Sequence, residues 1–279
     1  MITDNRLSHL AQAISHKTLT INNIHSTALQ VNHLTIGFGN RTLVGGISFE
    51  MAPGECILLA GANGTGKTTL LKTLAEVGRG SENCATLGTL EGGAHRSRWE
   101  GRRSLCDRRF SDPLPTSVLI PTNIPKIKGF TVEEFVYTGC YRESDWKGKV
   151  SKEMVQRMEG ALKVLGIQEF KERDISTLSD GEFKKACLAV GLTRRAEVLL
   201  LDEPTAFLDV ENRISVLQTL REVTRKTGTA ILFSSHDLHD ALTVVDRVFA
   251  LTRDGQFLAS GPENKESVLK EAFPNLSAL

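Results

Sequence analysis

The sequence predicts an α/β fold: a mainly parallel sheet flanked by helices, with an antiparallel β portion at the front. Three observations carry that expectation. Short, wholly apolar runs recur at Cys56–Ala60, Val198–Leu201 and Ala230–Phe233, as strands buried on both faces require. Stretches of helical apolar spacing alternate with these runs. Ahead of the first run, apolar and polar residues alternate singly, the mark of half-buried strands.

Residues 1–27 are polar and rich in Thr, Asn and His, and form an N-terminal extension without an assigned role. Leu29 and Val31, then Leu34, Ile36 and Phe38, make two short alternating stretches. Ile47, Phe49 and Met51 make another before the turn at Pro53–Gly54. Lys67–Val77 spaces Leu70, Leu71 and Leu74 as a helix does. Between about Arg79 and Ser117, Arg96, Arg98, Arg102, Arg103, Arg108 and Arg109 stand among Gly and Ser with few aromatics. That composition is expected of a solvated, irregular surface segment, not of a nucleic-acid site.

Helical signals resume at Thr131, which forms a capping box with Glu134. A helix over about Lys152–Leu165 shares Val155, Met158 and Leu162 on one face. Ser179 with Glu182 opens another, whose Phe183, Ala186, Cys187 and Val190 share a face. Asp254–Gly255, between apolar-rich stretches at 247–252 and 256–259, is a hairpin turn.

The formal charge of +1 gives no global field toward nucleic acid or an anionic membrane. Five cysteines are an odd number without Cys-x-x-Cys spacing, which excludes a zinc ribbon or disulfide framework and suits a reducing compartment. Cys56 and Cys187 lie in apolar contexts as small core residues. No run of ~18 apolar residues could cross a bilayer, and the N-terminus lacks a signal-peptide core. A cytoplasmic protein is expected, held at a membrane only by another chain.

Gly61-Ala62-Asn63-Gly64-Thr65-Gly66-Lys67-Thr68, followed by Thr69, fits G-x-x-x-x-G-K-[ST] between a buried strand and a helix. Such a loop turns successive N–H groups toward phosphate oxygens, and the helix N-terminus adds partial positive charge. Lys67 would reach the β- and γ-phosphates of ATP, and the Thr68 hydroxyl would ligate Mg²⁺. Alone, the loop specifies only a phosphate-loop NTPase. Val198–Leu201 then delivers Asp202 and Glu203 to the sheet edge beside the loop. Asp202 would hold Mg²⁺ through water, and Glu203 would polarise the attacking water.

Leu178-Ser179-Asp180-Gly181-Glu182 is explained by capping alone, but its place one helix before the Asp202–Glu203 strand resembles the signature loop of ABC ATPases. The resemblance covers about Leu29–Pro262. It implies the ABC ATPase fold over 28–279, with an inserted helical subdomain at about 125–178. It also implies that Ser179, Asp180 and Gly181 clamp the γ-phosphate of an ATP held by a second copy, two chains sandwiching two nucleotides. By the same resemblance Asp209 lies in the loop coupling the two sites, and His236 is the switch histidine. Phe38 stands where an aromatic stacks on adenine, although its alternation with Ile36 equally fits a core residue. Thr122 follows Val118–Pro121 where the family has a glutamine; its hydroxyl could still bind a magnesium water, with shorter reach.

Thr131–Tyr141, with Trp146 and Gly148 beyond it, is similar to the helical-subdomain entry of ATPases driving iron-siderophore, haem and cobalamin importers, with Cys140 in place of the usual Arg. That similarity implies an import motor, peripheral on the inner face of the cell membrane. Its partners would be two transmembrane permease subunits and, indirectly, a substrate-binding protein. A soluble ATPase acting on ribosomes or DNA, a degenerate nucleotide-binding regulator, and an exporter or lipid-transport motor are the competing readings.

Overall fold

The computed structural model describes residues 27–38, 41–77, 97–99, 117–141, 143 and 150–274. In chain order the strands and helices are β1 (Leu29–Phe38), β2 (Arg41–Met51), β3 (Cys56–Gly61), α1 (Lys67–Val77), β4 (Ser97–Trp99) and β5 (Ser117–Ile120). There follow α2 (Val132–Tyr137), α3 (Lys152–Val164), α4 (Asp180–Thr193), β6 (Val198–Leu201) and α5 (Val210–Thr227). The chain closes with β7 (Ala230–Ser234), α6 (Leu238–Leu242), β8 (Arg247–Leu251), β9 (Phe257–Ala259) and α7 (Lys265–Ala272).

The main sheet runs β5-β6-β7-β3-β8-β9, parallel except for the β8–β9 hairpin. Its strands alternate between two cores, as a period of two demands. Cys56, Leu58, Ala60, Leu199, Leu201, Ile231 and Phe233 pack on one face with α4, α5 and α7. Ile57, Leu59, Val198, Leu200, Ala230 and Leu232 pack on the other with α1 and the front sheet. Both faces are therefore apolar, and each fully buried Val, Leu, Ile or Phe contributes about 1.5–3 kcal/mol of transfer free energy.

The front sheet is antiparallel, ordered β2-β1-β4. Where two alternating stretches are expected at 29–38, one strand runs through, with register shifts between Val31 and Leu34 and again near Ile36. An irregular pairing restores the apolar phase after a break in the sequence pattern. Phe49, Phe249 and Phe257 join the two sheets, with ring centroids 4.8–5.8 Å apart. Inside the arginine-rich segment, Ser97–Trp99 pairs with Leu34–Ile36, a correction to the irregular character expected there. The rest of that segment, Trp146 and Gly148 lie outside the described residues.

Thr131 and Ser179 both form the expected capping boxes. A third joins Ser151 to Met154, whose thioether replaces the usual carboxylate. On α3 the buried face is Met154, Met158, Ala161 and Leu162, with Val155 only half-buried. Cys56 and Cys187 are buried, and burial pushes both thiols up to about 12. No helix among the described residues is long and apolar enough to cross a membrane.

Candidate functional site

Three parallel strands end together at one edge of the main sheet. Their register pairs Leu201 with Phe233 and Leu59 with Ser234, so Gly61, Asp202 and Ser234 emerge side by side. From β3 the chain turns at once into α1 through the glycine-rich sequence Gly61–Lys67. Two glycines are sterically required there. A Cβ on Gly61 would meet Thr65 Oγ1 at 2.6 Å, and Gly66 has φ +105° with Ile36 Cδ1 3.1 Å from where a Cβ would stand. The turn is tied by the Thr65 hydroxyl, which donates to Ala62 O at 2.9 Å.

Lys67 is buried, and its Nζ donates to Gly61 O at 2.7 Å and more weakly to Ala62 O. Burial draws its pKa below the ordinary lysine value, against the opposing pull of the Glu203 and Asp202 carboxylates. Thr68 Oγ1 donates to Asp202 at 2.9 Å and 3.2 Å, one contact to each carboxylate oxygen. Ser234 Oγ donates to Asp202 Oδ1 at 3.0 Å and accepts from Glu203 N at 2.9 Å. His236 Nε2 stands 2.8 Å from Glu203 Oε1. In the neutral ring that nitrogen carries the proton and donates to the carboxylate.

Glu203 (φ 49°) and Phe207 (φ 65°) both hold left-handed backbone conformations, so the loop after β6 stores strain. Of these groups Lys67, Thr68 and Glu203 open directly onto a cleft of about 510 Å³, completed by Leu43, Ala62, Asn63, Gly64, Gly66 and Thr69. Backbone amides, an ammonium, a hydroxyl and two carboxylates thus converge where a polyphosphate would lie along the start of α1.

The remaining expected residues lie elsewhere. Ser179 and Asp180 are exposed at the start of α4 and do not line this cleft. Ser179 Oγ accepts from Glu182 N, and Ser179 N donates in turn to the Glu182 carboxylate. Asp180 pairs with Lys126 at 2.7 Å. Asp209 caps α5, its two oxygens accepting from Asn212 N and Nδ2. Thr122 is half-buried two residues beyond β5, its carbonyl accepting from Lys184 Nζ. Phe38 ends β1, and its side chain lies outside the described residues. Ser234, Lys126, Lys184 and Leu43 are site neighbours that sequence reasoning did not single out. Only Ser234 had a signal, standing two residues before His236.

Residues 44–206 match the family described as ABC transporter. The chain belongs to that family. The ABC ATPase is 30% identical over 260 residues to the hemin import ATP-binding protein of Bradyrhizobium diazoefficiens, covering 90% of this chain and 88% of that one. It is 29% identical to the achromobactin transport ATP-binding protein of Dickeya dadantii, over 88% of each chain. To the ferric enterobactin transport ATP-binding protein of Escherichia coli K12 it is also 29% identical, over 90% and 87%. A putative metal-chelate type ABC transporter in an inward-facing conformation shares the fold, with TM-score 0.64, 19% identity, and 88% and 90% of the two chains covered. So does cbiO1 of Clostridium perfringens, with TM-score 0.65, 22% identity, and 90% and 96% covered. The ABC ATPase binds nucleotide and hydrolyses ATP as the motor subunit of a transporter.

Proposed function

We propose that residues 28–279 form one ATPase domain in which Lys67 and the loop N–H groups hold the β- and γ-phosphates of ATP, while Glu203 orients the attacking water and takes up its proton. The observation carrying this reading is that Glu203 lines the phosphate cleft while bonded to His236, with Asp202 bonded to Thr68. His236 fixes the Glu203 carboxylate and presents its ring toward the γ-phosphate. Glu203 is preorganised, its own N–H held by Ser234, so little rearrangement precedes reaction.

The site fits Mg²⁺. A hydroxyl and a carboxylate in contact are hard oxygen donors, and the described residues hold no cluster of three His, Cys, Asp or Glu that would suit a softer or fully protein-bound ion. Thr68 and Asp202 would hold it, with Thr122 binding one of its waters; when bound, the ion neutralises developing phosphate charge.

Ser179 and Asp180 are exposed, Gly181 is buried beneath them, and all three lie off their own chain's cleft, which supports use of this loop by a second copy. Two copies would then enclose two ATP molecules. The names of the relatives and the Thr131–Tyr141 similarity support import of an iron chelate, haem or cobalamin. The working assembly would pair the ATPase dimer with two transmembrane permease subunits at the inner face of the cell membrane, fed by a substrate-binding protein.

Glu203→Gln is expected to retain ATP binding and slow hydrolysis roughly 10²–10⁴-fold, equivalent to about 3–5 kcal/mol of barrier. Phosphate release and nucleotide titration on the same preparation measure both. Unchanged turnover would remove Glu203 from the mechanism.

A further inference from the structure

Beyond β5 the chain passes along the first turns of α4, and two lysines fasten it there. Lys184, on α4, donates from Nζ to Thr122 O at 2.7 Å. In the other direction, Lys126 donates to Leu178 O at 2.8 Å and to Asp180 Oδ1 at 2.7 Å. The Lys126 ammonium also lies 5.5 Å from the ring centroid of the buried Phe183, which stacks on Phe135 of α2. The bonds cross, so neither end of the 122–126 segment can leave α4 without uncovering an ammonium. For Lys184 that cost is real, because burial already pulls its pKa down and leaving would forfeit its bond to the Thr122 carbonyl.

The second observation is one of charge. Asp180 places a carboxylate in the loop that the two-copy reading turns toward a phosphate. Unpaired, it would repel the γ-phosphate inside a water-excluded interface, where like charges are weakly screened. Lys126 meets it directly.

We propose that Lys126 and Lys184 are positioning residues. They clamp the 122–126 segment to the start of α4, so that Ser179–Gly181 and Thr122 shift as one body. Lys126 also cancels the Asp180 charge before the loop meets the nucleotide of a second copy. This inference rests on the two-copy reading.

The test uses the full chain carrying Glu203→Gln, in ATP and Mg²⁺. Nucleotide affinity is titrated with a fluorescent ATP analogue, and dimerisation is followed by light scattering. Lys126→Met is expected to weaken the ATP-driven dimer about tenfold while leaving nucleotide affinity unchanged. Adding Asp180→Gly should restore most of the loss, which a merely structural lysine would not allow. Lys184→Met should act in the same direction, and Lys184→Gln, which retains a donor, should recover part of it. If Lys184→Met fails to fold, the Lys126 and Asp180 variants decide, since those side chains are 27% and 64% exposed. A parent that stays monomeric in ATP overturns the two-copy reading and the clamp with it. A parent that dimerises, with Lys126→Met dimerising equally well, overturns the clamp alone. Absence of rescue by Asp180→Gly overturns the charge role.

Discussion

Ser234 is fully buried at the end of β7 and uses its hydroxyl twice, toward Asp202 and toward the backbone of Glu203. Its one trace in the sequence is its place two residues before His236, since a serine ending an apolar strand is compatible with many environments. Its role follows from strand order, which puts β7 beside β6. Ser234→Ala would leave the Glu203 N–H without its partner and leave Asp202 Oδ1 with only the longer contact to Thr68. A loss of about 1–3 kcal/mol in stability is expected, measured by urea unfolding. Turnover should fall on the order of tenfold as Glu203 loses its fixed position. The glycines and Lys67 were proposed from a local motif and Asp202 from the apolar run before it, whereas His236 was proposed only from the order of motifs that the resemblance supplies. Asp180 was legible only as a loop residue; its lysine partner is 54 residues away and left no local trace.

Among elements, the strands of the main sheet were the most legible, because burial on both faces excludes polar residues and leaves unmistakable runs. Helix α5 was not read, although Asp209 at its start, Gly228 in a left-handed cap and Val216, Leu217, Leu220 and Val223 inside are ordinary helix signals. Strand β4 could not be read, since three residues of Ser, Arg and Trp owe their conformation to the ladder of β1. α5 is also fastened by charge. Arg221 pairs with Asp246 ahead of β8, and Asp246 accepts from Cys56 N at the start of β3. Burial raises the Asp246 pKa, but the Arg221 bond and the Cys56 N–H outweigh it, leaving the carboxyl below its ordinary 3.8. A depressed carboxyl stabilises the fold above the unfolded pKa, and that contribution fades as pH falls through the lower folded value. Asp246→Asn should therefore lower the melting temperature at pH 7, and the gap from the parent should narrow only below about pH 3.8. A gap independent of pH down to pH 2 would assign the loss to packing.

At the scale of the whole molecule, the antiparallel front, the parallel core and the helices between β5 and α4 were all anticipated, and what escaped was how they are joined. Such joints are long-range pairs, and a single sequence carries no record of them. The sheet itself has a further consequence. Asp202, Ser234 and the phosphate loop are aligned by ladders in which Leu201 faces Phe233 and Leu59 faces Ser234. Side chains alternate with a period of two, so a slip of one position would swing a reacting group into the opposite core. One alanine inserted at position 200 or 232 should therefore abolish hydrolysis, while two glycines added at the Asp254–Gly255 turn should leave it within about twofold, since loop length costs little. Steady-state phosphate release on both insertions makes the comparison. The β-ladder acts as a vernier for the chemistry: tolerant of how much chain is hung between its marks, and intolerant of any miscount along the scale itself.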